Sequence, residues 1–160
     1  MKLYCPILVG EQYLPARCMH RTMLDGRDAS PPLLWSDAPA AVKSFSLQIS
    51  DLDAGTAPLT LWVLINIPFA VRELYENASL VTKLIPGGSV QLTNSQGNQR
   101  YDGPNLARDA EPHRIAIELF ALSVDRLNIG VFSSAEERLN AIGQKTIQKV
   151  TLQVLATRSR

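Results

Sequence analysis

An apolar run between two prolines constrains the fold of this chain more than any other feature. Leu59 to Ile67 reads LTLWVLINI and is bounded by Pro58 and Pro68. The run is too short for a membrane-spanning helix, which needs about 20 residues, and its Val and Ile content favours a β-strand. Because it does not alternate with polar residues, it is typical of a strand that is covered on both faces. We therefore expect a central strand of a layered β-structure here.

The segment before this run alternates apolar and polar side chains. Phe45, Leu47 and Ile49 share one face of a strand, and serines with Gln48 take the other face. Asp51 follows in phase with the apolar face. A buried charge without a partner costs free energy, so Asp51 needs a partner.

Shorter signals predict the rest of the fold. Ser134 and Glu137 have the spacing of a helix capping box, with Ala135, Leu139 and Ile142 on one helical face and Gly143 as the end of the helix. Residues 94–112 are polar, contain glycine and proline, and predict a long loop. Further strands are predicted over residues 2–9, 33–35, 89–93, 113–123 and 146–158.

The expected architecture is a mostly β single domain over residues 1–160. It is most simply a β-sandwich of about six to nine strands with one or two short helices, including one near the C-terminus. A chain of 160 residues can bury a core without metal or disulfide support. Cys5 and Cys18 are therefore expected to be free thiols.

Charge and hydropathy exclude several classes of function. The formal charge of +1 and the pI of about 7.8 provide no basic field for nucleic acid. No apolar window is long enough for a membrane-spanning helix. Gly10, Glu11 and Pro15 interrupt the first residues before the apolar core of a signal peptide could form. We expect a cytoplasmic protein that neither binds nucleic acid nor spans a membrane.

The sequence lacks the familiar enzyme signatures. It has no GxSxG elbow, no phosphate-binding P-loop, no GxGxxG, no HExxH and no CxxC. Its two histidines, His20 and His113, lack metal-ligand spacing relative to Asp51 and Asp53. We therefore expect no metal, no cofactor and no enzymatic activity.

Four segments in order resemble the bacterial, Raf-kinase-inhibitor-like branch of the phosphatidylethanolamine-binding protein family. They are GRDASPPLLWSDAPAAVKSFSLQISDLDA, LWVLINIP, YDGP and HRIAIELFAL, and they lie between Gly26 and Leu122. The resemblance implies a β-sandwich with a small anion-binding pocket at one end. It also implies a binding or regulatory role without catalysis.

The resemblance assigns the pocket to particular residues. The family's DPDAP motif falls on Asp51 and Asp53, and its HRY motif begins at His113. Its GPxPP loop falls on Gly103 and Pro104, although the prolines that should follow are missing. The complete set of expected ligand-binding residues is Asp51, Asp53, Leu61, Tyr101, Gly103, Pro104 and His113.

Two departures change the expected chemistry of the pocket. Leu61 stands where the family has a second histidine, and Ile115 stands where it has a tyrosine. With His113 as the only ring cation beside Asp51, the local charge sums to about zero, and phosphate should bind roughly tenfold to a hundredfold more weakly. A small ligand that is anionic or partly apolar is the expected partner.

Other interpretations remain open. Asp51 and Asp53 can simply cap a turn, His113 can pair with Asp51 for stability alone, and Tyr101 can be pocket wall or core. The main alternative function is a protein-interaction or dimerisation module that has lost the ligand, with another protein or a second copy as its partner. The replacements at Leu61 and Ile115 motivate it.

Overall fold

The computed structural model describes residues 1–158, which contain two antiparallel sheets and one α-helix. The small sheet has the order β1-β2-β5 and consists of β1 (Lys2–Tyr4), β2 (Leu33–Ser36) and β5 (Glu73–Leu74). The large sheet has the order β6-β4-β3-β7-β8. Its strands are β3 (Ser44–Asp51), β4 (Leu59–Pro68), β6 (Val90–Leu92), β7 (His113–Leu122) and β8 (Thr146–Ala156).

The main core lies between the two sheets. Leu33 and Trp35 of the small sheet belong to the same buried cluster as Phe45 and Leu47 of the large sheet. The rings of Trp35 and Phe45 meet edge to face, with their centroids 5.6 Å apart. Burial of apolar surface between two facing sheets is the arrangement of a β-sandwich, so the predicted fold class is confirmed.

The large sheet is covered on its second face as well. Val63 and Ile65 of β4 pack in a separate apolar cluster with Leu127 and with Ile142 of the helix. Trp62, Val63, Leu64 and Ile65 are each at most 1% exposed. The prediction that this strand is covered on both faces is confirmed, and the cover on the second face comes from the helix and residues 123–131.

The helix α1 (Ala135–Lys145) begins as predicted and ends differently. Ser134 Oγ accepts a hydrogen bond from the Glu137 amide at 3.1 Å, which confirms the capping box. The prediction that Gly143 ends the helix is wrong, because α1 continues to Lys145 and runs directly into β8. Leu139 is 71% exposed and does not belong to the buried face.

The buried helical positions are four residues apart, at Arg138 and Ile142, because side chains at that spacing share a face. Arg138 Nη1 donates to the carbonyl oxygen of Thr93 at 2.8 Å, which joins the helix to the end of β6.

The first strand is also shorter than predicted. It ends at Tyr4, and Pro6 follows without an amide hydrogen to donate to a sheet.

Two further expectations are met by the described residues. Cys5 and Cys18 are buried free thiols, and burial raises the pKa of the Cys18 thiol to about 12. Residues 94–112 contain neither strand nor helix and form the predicted long loop. In residues 1–158 no helix has the length and hydropathy needed to cross a membrane.

Candidate functional site

Asp51 and His113 meet at one end of the large sheet. Asp51 is the last residue of β3 and His113 is the first of β7, and these two antiparallel strands are neighbours, so their ends lie together. His113 Nδ1 lies 2.8 Å from Asp51 Oδ2. The Asp51 side chain is 2% exposed and that of His113 is 13% exposed. The expected pairing is present, and it engages Nδ1 of the ring.

The second oxygen of Asp51 closes the turn that follows β3. Asp51 Oδ1 accepts a hydrogen bond from the Asp53 amide at 3.0 Å. The sequence left open whether Asp51 caps the turn or pairs with His113. In the structure its carboxylate does both. The Leu52 amide donates to the carbonyl oxygen of Arg114 at 2.9 Å and ties this turn to β7.

Asp53 and Arg114 form a bidentate ion pair. Asp53 Oδ1 accepts from Arg114 Nη2 at 2.8 Å, and Oδ2 accepts from Nε at 3.0 Å and from the Arg114 amide at 2.8 Å. The Arg114 guanidinium and amide hydrogen bonds hold the pKa of the Asp53 carboxyl well below its usual range. Arg114 is therefore engaged by Asp53, and the two charges of this pair sum to zero.

Leu61 occupies a bulge in the ladder between β3 and β4. Ile49 pairs with Trp62 and Ser50 pairs with Thr60, so Leu61 has no partner residue across the ladder. Bulges are common next to functional sites because they redirect a side chain. Leu61 is 3% exposed and belongs to the main apolar cluster.

The same cluster contains Ile115 and Leu106. Ile115 of β7 is fully buried, and Leu106 of the long loop is 1% exposed. Leu61 and Ile115, the two replacements of pocket side chains, are thus buried apolar residues, and Leu106 of the loop is a third. This part of the molecule is packed core.

Tyr101 lies beneath the loop with its hydroxyl engaged. It is 0% exposed, and its hydroxyl donates to the carbonyl oxygen of Cys18 at 2.7 Å. Its ring meets the buried ring of Trp62 edge to face at a centroid distance of 6.2 Å. Of the two interpretations that the sequence left open for Tyr101, the structure places it in the core.

Gly103 and Pro104 press against the connector between β1 and β2. A Cβ on Gly103 would lie 2.3 Å from the Met19 carbonyl carbon and 2.5 Å from the His20 amide nitrogen, so only glycine fits there. The Pro104 carbonyl oxygen accepts from the His20 amide at 3.0 Å. These two residues hold the loop to the connector by backbone contact.

A second pair of buried carboxylates was missed from the sequence. Asp28 is 2% exposed and Asp102 is 1% exposed. Arg21 lies between them, with Nε 2.8 Å from Asp28 Oδ2 and Nη2 3.5 Å from Asp102 Oδ1. Asp28 Oδ1 accepts from the Gly103 amide at 2.8 Å. The signal was available, since both aspartates lie in the segments GRDASPPLLW and YDGP that carry the resemblance.

His20, Asp28 and Asp102 bring one ligand atom each within 4.8 Å of the others, which is close enough to consider a metal. Every carboxylate oxygen of this group nevertheless accepts a hydrogen bond already. Asp102 Oδ2 accepts from two asparagine side chains, Asn94 at 2.7 Å and Asn98 at 2.8 Å. Because nitrogen donors already bond to each of these oxygens, the group is a structural hydrogen-bond network.

Among the cavities on the described surface are one of about 450 Å³ and one of about 260 Å³. Neither is lined by Asp51, Leu61 or His113. The predicted site is a largely buried ion pair at a sheet end, with apolar packing beside it.

Comparison with known proteins identifies the family. The family model for phosphatidylethanolamine-binding proteins matches residues 9–157. A UPF0098 protein of Methanothermobacter thermautotrophicus is 36% identical over 79% of this chain and 81% of its own length. The chain belongs to the phosphatidylethanolamine-binding protein family.

Further relatives come from bacteria. The UPF0098 protein YbhB of Escherichia coli is 33% identical over 81% of this chain and 82% of its own length. A UPF0098 protein of Aquifex aeolicus is 39% identical over 66% of this chain, and the match spans only 60% of the Aquifex protein. The crystal structure of E. coli YbcL, described as a new member of the mammalian PEBP family, superposes with a TM-score of 0.89 at 23% identity. It covers 97% of this chain and 96% of YbcL.

Proposed function

We propose that this chain is a non-enzymatic ligand-binding protein whose site at Asp51 and His113 takes a small anionic group. The observation that carries the proposal is the 2.8 Å contact between Asp51 Oδ2 and His113 Nδ1. A carboxylate at Nδ1 fixes the orientation of the ring and selects which ring nitrogen faces the ligand. The other ring nitrogen can then donate to an oxygen of the ligand.

The charges around the pair support weak binding of a bare phosphate. A protonated His113 beside Asp51 sums to about zero charge, and Arg114 is engaged by Asp53. Leu61 supplies buried apolar surface where a second histidine would supply another donor. A ligand that joins an anionic group to an apolar part suits these neighbours better than inorganic phosphate does.

The other expected site residues have supporting roles in this proposal. Asp53 holds the turn through Arg114, and Tyr101, Gly103 and Pro104 fix the loop against the connector that contains Cys18 and His20. A site supported by buried hydrogen bonds is held in one geometry before the ligand arrives.

The test is an NMR titration of the histidine ring signals with phosphate and with phosphoethanolamine. The chain has two histidines, so His20→Gln and His113→Gln assign the signals and serve as matched controls. We expect the His113 signals to move at millimolar ligand and those of His20 to stay. Leu61→His should bind phosphate roughly tenfold to a hundredfold more tightly, since it restores a charge-assisted hydrogen bond. If the His113 signals stay unchanged in both proteins, the proposed function is wrong.

A second candidate function is an interaction module that works through an apolar surface. Phe132 is 85% exposed and Leu139 is 71% exposed, and both lie at or next to α1. Sedimentation of the native chain and of Phe132→Ser with Leu139→Ser tests it. If the native chain is a homodimer and the double variant is a monomer, this function is favoured. If the native chain is a monomer, homodimerisation is excluded.

A cytoplasmic location is part of the proposal. Cys5 and Cys18 are free thiols although both are buried in the same core cluster, which is typical of proteins from reducing compartments. Cell fractionation with an antibody against the chain tests the location, and recovery in the periplasmic or extracellular fraction would contradict it.

A further inference from the structure

We propose that the 450 Å³ cavity is a second ligand site, which takes an apolar molecule carrying one carboxylate. The cavity lies between the N-terminal segment and the end of β8, and its lining includes Leu14, Met19, Met23, Leu24 and Arg158. It shares no lining residue with the Asp51 and His113 pair. The proposal therefore does not rest on the function proposed above.

Backbone hydrogen bonds hold the walls of this cavity in place. The Leu14 amide donates to the Leu155 carbonyl oxygen at 2.9 Å, and the Leu155 amide donates to the Gln12 carbonyl oxygen at 2.7 Å, so the N-terminal segment is fastened along β8. On the other side, the Met23 amide donates to the His20 carbonyl oxygen at 2.9 Å and closes a turn. The cavity is thus part of the folded structure and is preformed for a ligand.

The walls are mostly apolar. Leu14, Met19 and Met23 are buried in the main core cluster and present apolar surface to the cavity. Val9 and Leu24 also line it and are 58% and 88% exposed. Methionine side chains are flexible and polarisable, so they adapt to apolar ligands of different shape. The volume lies in the range of about 300–1,000 Å³ that is usual for small-molecule sites.

Arg158 is the one charged residue in the lining and determines the polar end of the ligand. Its Nη1 donates to the Leu106 carbonyl oxygen at 3.0 Å, which anchors the guanidinium. Within residues 1–158 Arg158 has no carboxylate within ion-pair distance. A guanidinium matches a carboxylate with two parallel hydrogen bonds, so the complementary ligand is an apolar monocarboxylate.

Methionine methyl signals test the proposal directly. The chain has three methionines, of which Met19 and Met23 line the cavity and Met1 does not. The protein is labelled with methyl-¹³C methionine and titrated with decanoate below its micelle concentration, and in parallel with decanol. We expect decanoate to move the Met19 and Met23 signals, to leave Met1 and the His113 ring unchanged, and to bind more tightly than decanol.

The matched pair of variants is Arg158→Gln and Arg27→Gln. Arg27 is exposed, lines neither cavity and loses the same charge. We expect Arg158→Gln to weaken decanoate binding roughly tenfold or more and Arg27→Gln to leave it unchanged. Far-ultraviolet circular dichroism verifies that both variants are folded.

Three results would overturn the proposal. Unchanged Met19 and Met23 signals would mean that the cavity takes no apolar acid. Equal binding of decanoate by the two arginine variants, or equal binding of decanol and decanoate, would remove the role of the carboxylate. Movement of the His113 ring in place of the methionine signals would assign decanoate to the other site.

Discussion

Buried carboxylates lie in two places of the described structure, and the two places differ in the side chain that pairs with the carboxylate. Asp51 is paired with a histidine that is 13% exposed. Asp28 and Asp102 are paired with Arg21, and every one of their oxygens accepts a hydrogen bond from a side chain or an amide. Both arrangements satisfy a buried charge, but only the first uses a histidine ring, whose second nitrogen is the proposed donor to a ligand.

The Asp28 and Asp102 network supports the fold, whereas the Asp51 and His113 pair is the proposed binding site. The Asp28 and Asp102 network joins the connector after β1 to the loop that carries Gly103, so it fixes where that loop lies. The Asp51 and His113 pair stands at the end of two strands whose positions the sheet already determines. Substitutions in the network should therefore cost stability first, whereas substitutions at the pair should change binding first.

The largest expected effect is at Asp102. Asp102→Ala removes one shared acceptor group from Arg21, Arg100, Asn94 and Asn98. We expect the free energy of unfolding to fall by about 3–5 kcal/mol, because several hydrogen bonds to a buried charged group, each worth about 1.5–3 kcal/mol, are lost together. Urea unfolding followed by circular dichroism measures it.

Asp109 provides the matched control for this variant. It lies exposed in the same loop, and Asp109→Ala should change the free energy of unfolding by less than about 0.5 kcal/mol. Equal losses in the two variants would show that the network does not support the fold.

Gly103→Ala tests whether the loop can move. The added Cβ would lie within 2.5 Å of backbone atoms of residues 18–20, which cannot yield as a side-chain tip would. We expect a loss of about 3 kcal/mol in the free energy of unfolding. Gly55→Ala is the control, because a Cβ there meets nothing within 4 Å. An unaffected Gly103→Ala protein would mean that the loop relaxes freely.

Asp51→Asn should cost less stability than Asp102→Ala. The amide oxygen can still accept from the Asp53 amide, while the charge-assisted bond to His113 is lost. We expect a loss of about 1.5 kcal/mol together with a clear change in the His113 ring signals. A loss as large as that of Asp102→Ala would contradict the distinction between the two places.

The smallest effect concerns Asp53 and depends on pH. The Arg114 hydrogen bonds lower the pKa of Asp53 in the folded state, so its ion pair stabilises the protein above the ordinary aspartate range near pH 4. This stabilisation is lost as the pH falls through the lowered pKa. Asp53→Asn should therefore be less stable than the native chain at pH 7, and the difference should shrink in strong acid. Thermal unfolding at a series of pH values measures it, and a constant difference would contradict this account.

The strands were predictable where the pattern of apolar and polar side chains is regular. β3 and β4 follow from the alternation around Phe45 and from the apolar run that contains Trp62. The helix start followed from Ser134 and Glu137, because a capping box is a local hydrogen-bond pattern. The helix end and the exposure of Leu139 did not follow, since the sheet beneath α1 selects the Arg138 and Ile142 face.

In the candidate site, the contact between Asp51 and His113 was predictable, whereas the packing around the contact was not. The resemblance of the ordered motifs implied that Asp51 and His113 lie together, and the structure brings them together because β3 and β7 are neighbouring antiparallel strands. The surroundings were not predictable from that order. Leu106 comes from a loop without periodicity and is nevertheless 1% exposed.

By itself, the sequence determined the layered β-fold and the start of the helix, because periodicity and short-range capping are properties of adjacent residues. The family and the strand-end pair followed from the resemblance of four segments in order. Only the tertiary structure decided that Arg21 joins Asp28 to Asp102, that Leu61 sits in a bulge, and that Arg158 lines a cavity. These are contacts between segments far apart in the chain. Their geometry depends on how the sheets twist and pack, and no local pattern encodes that.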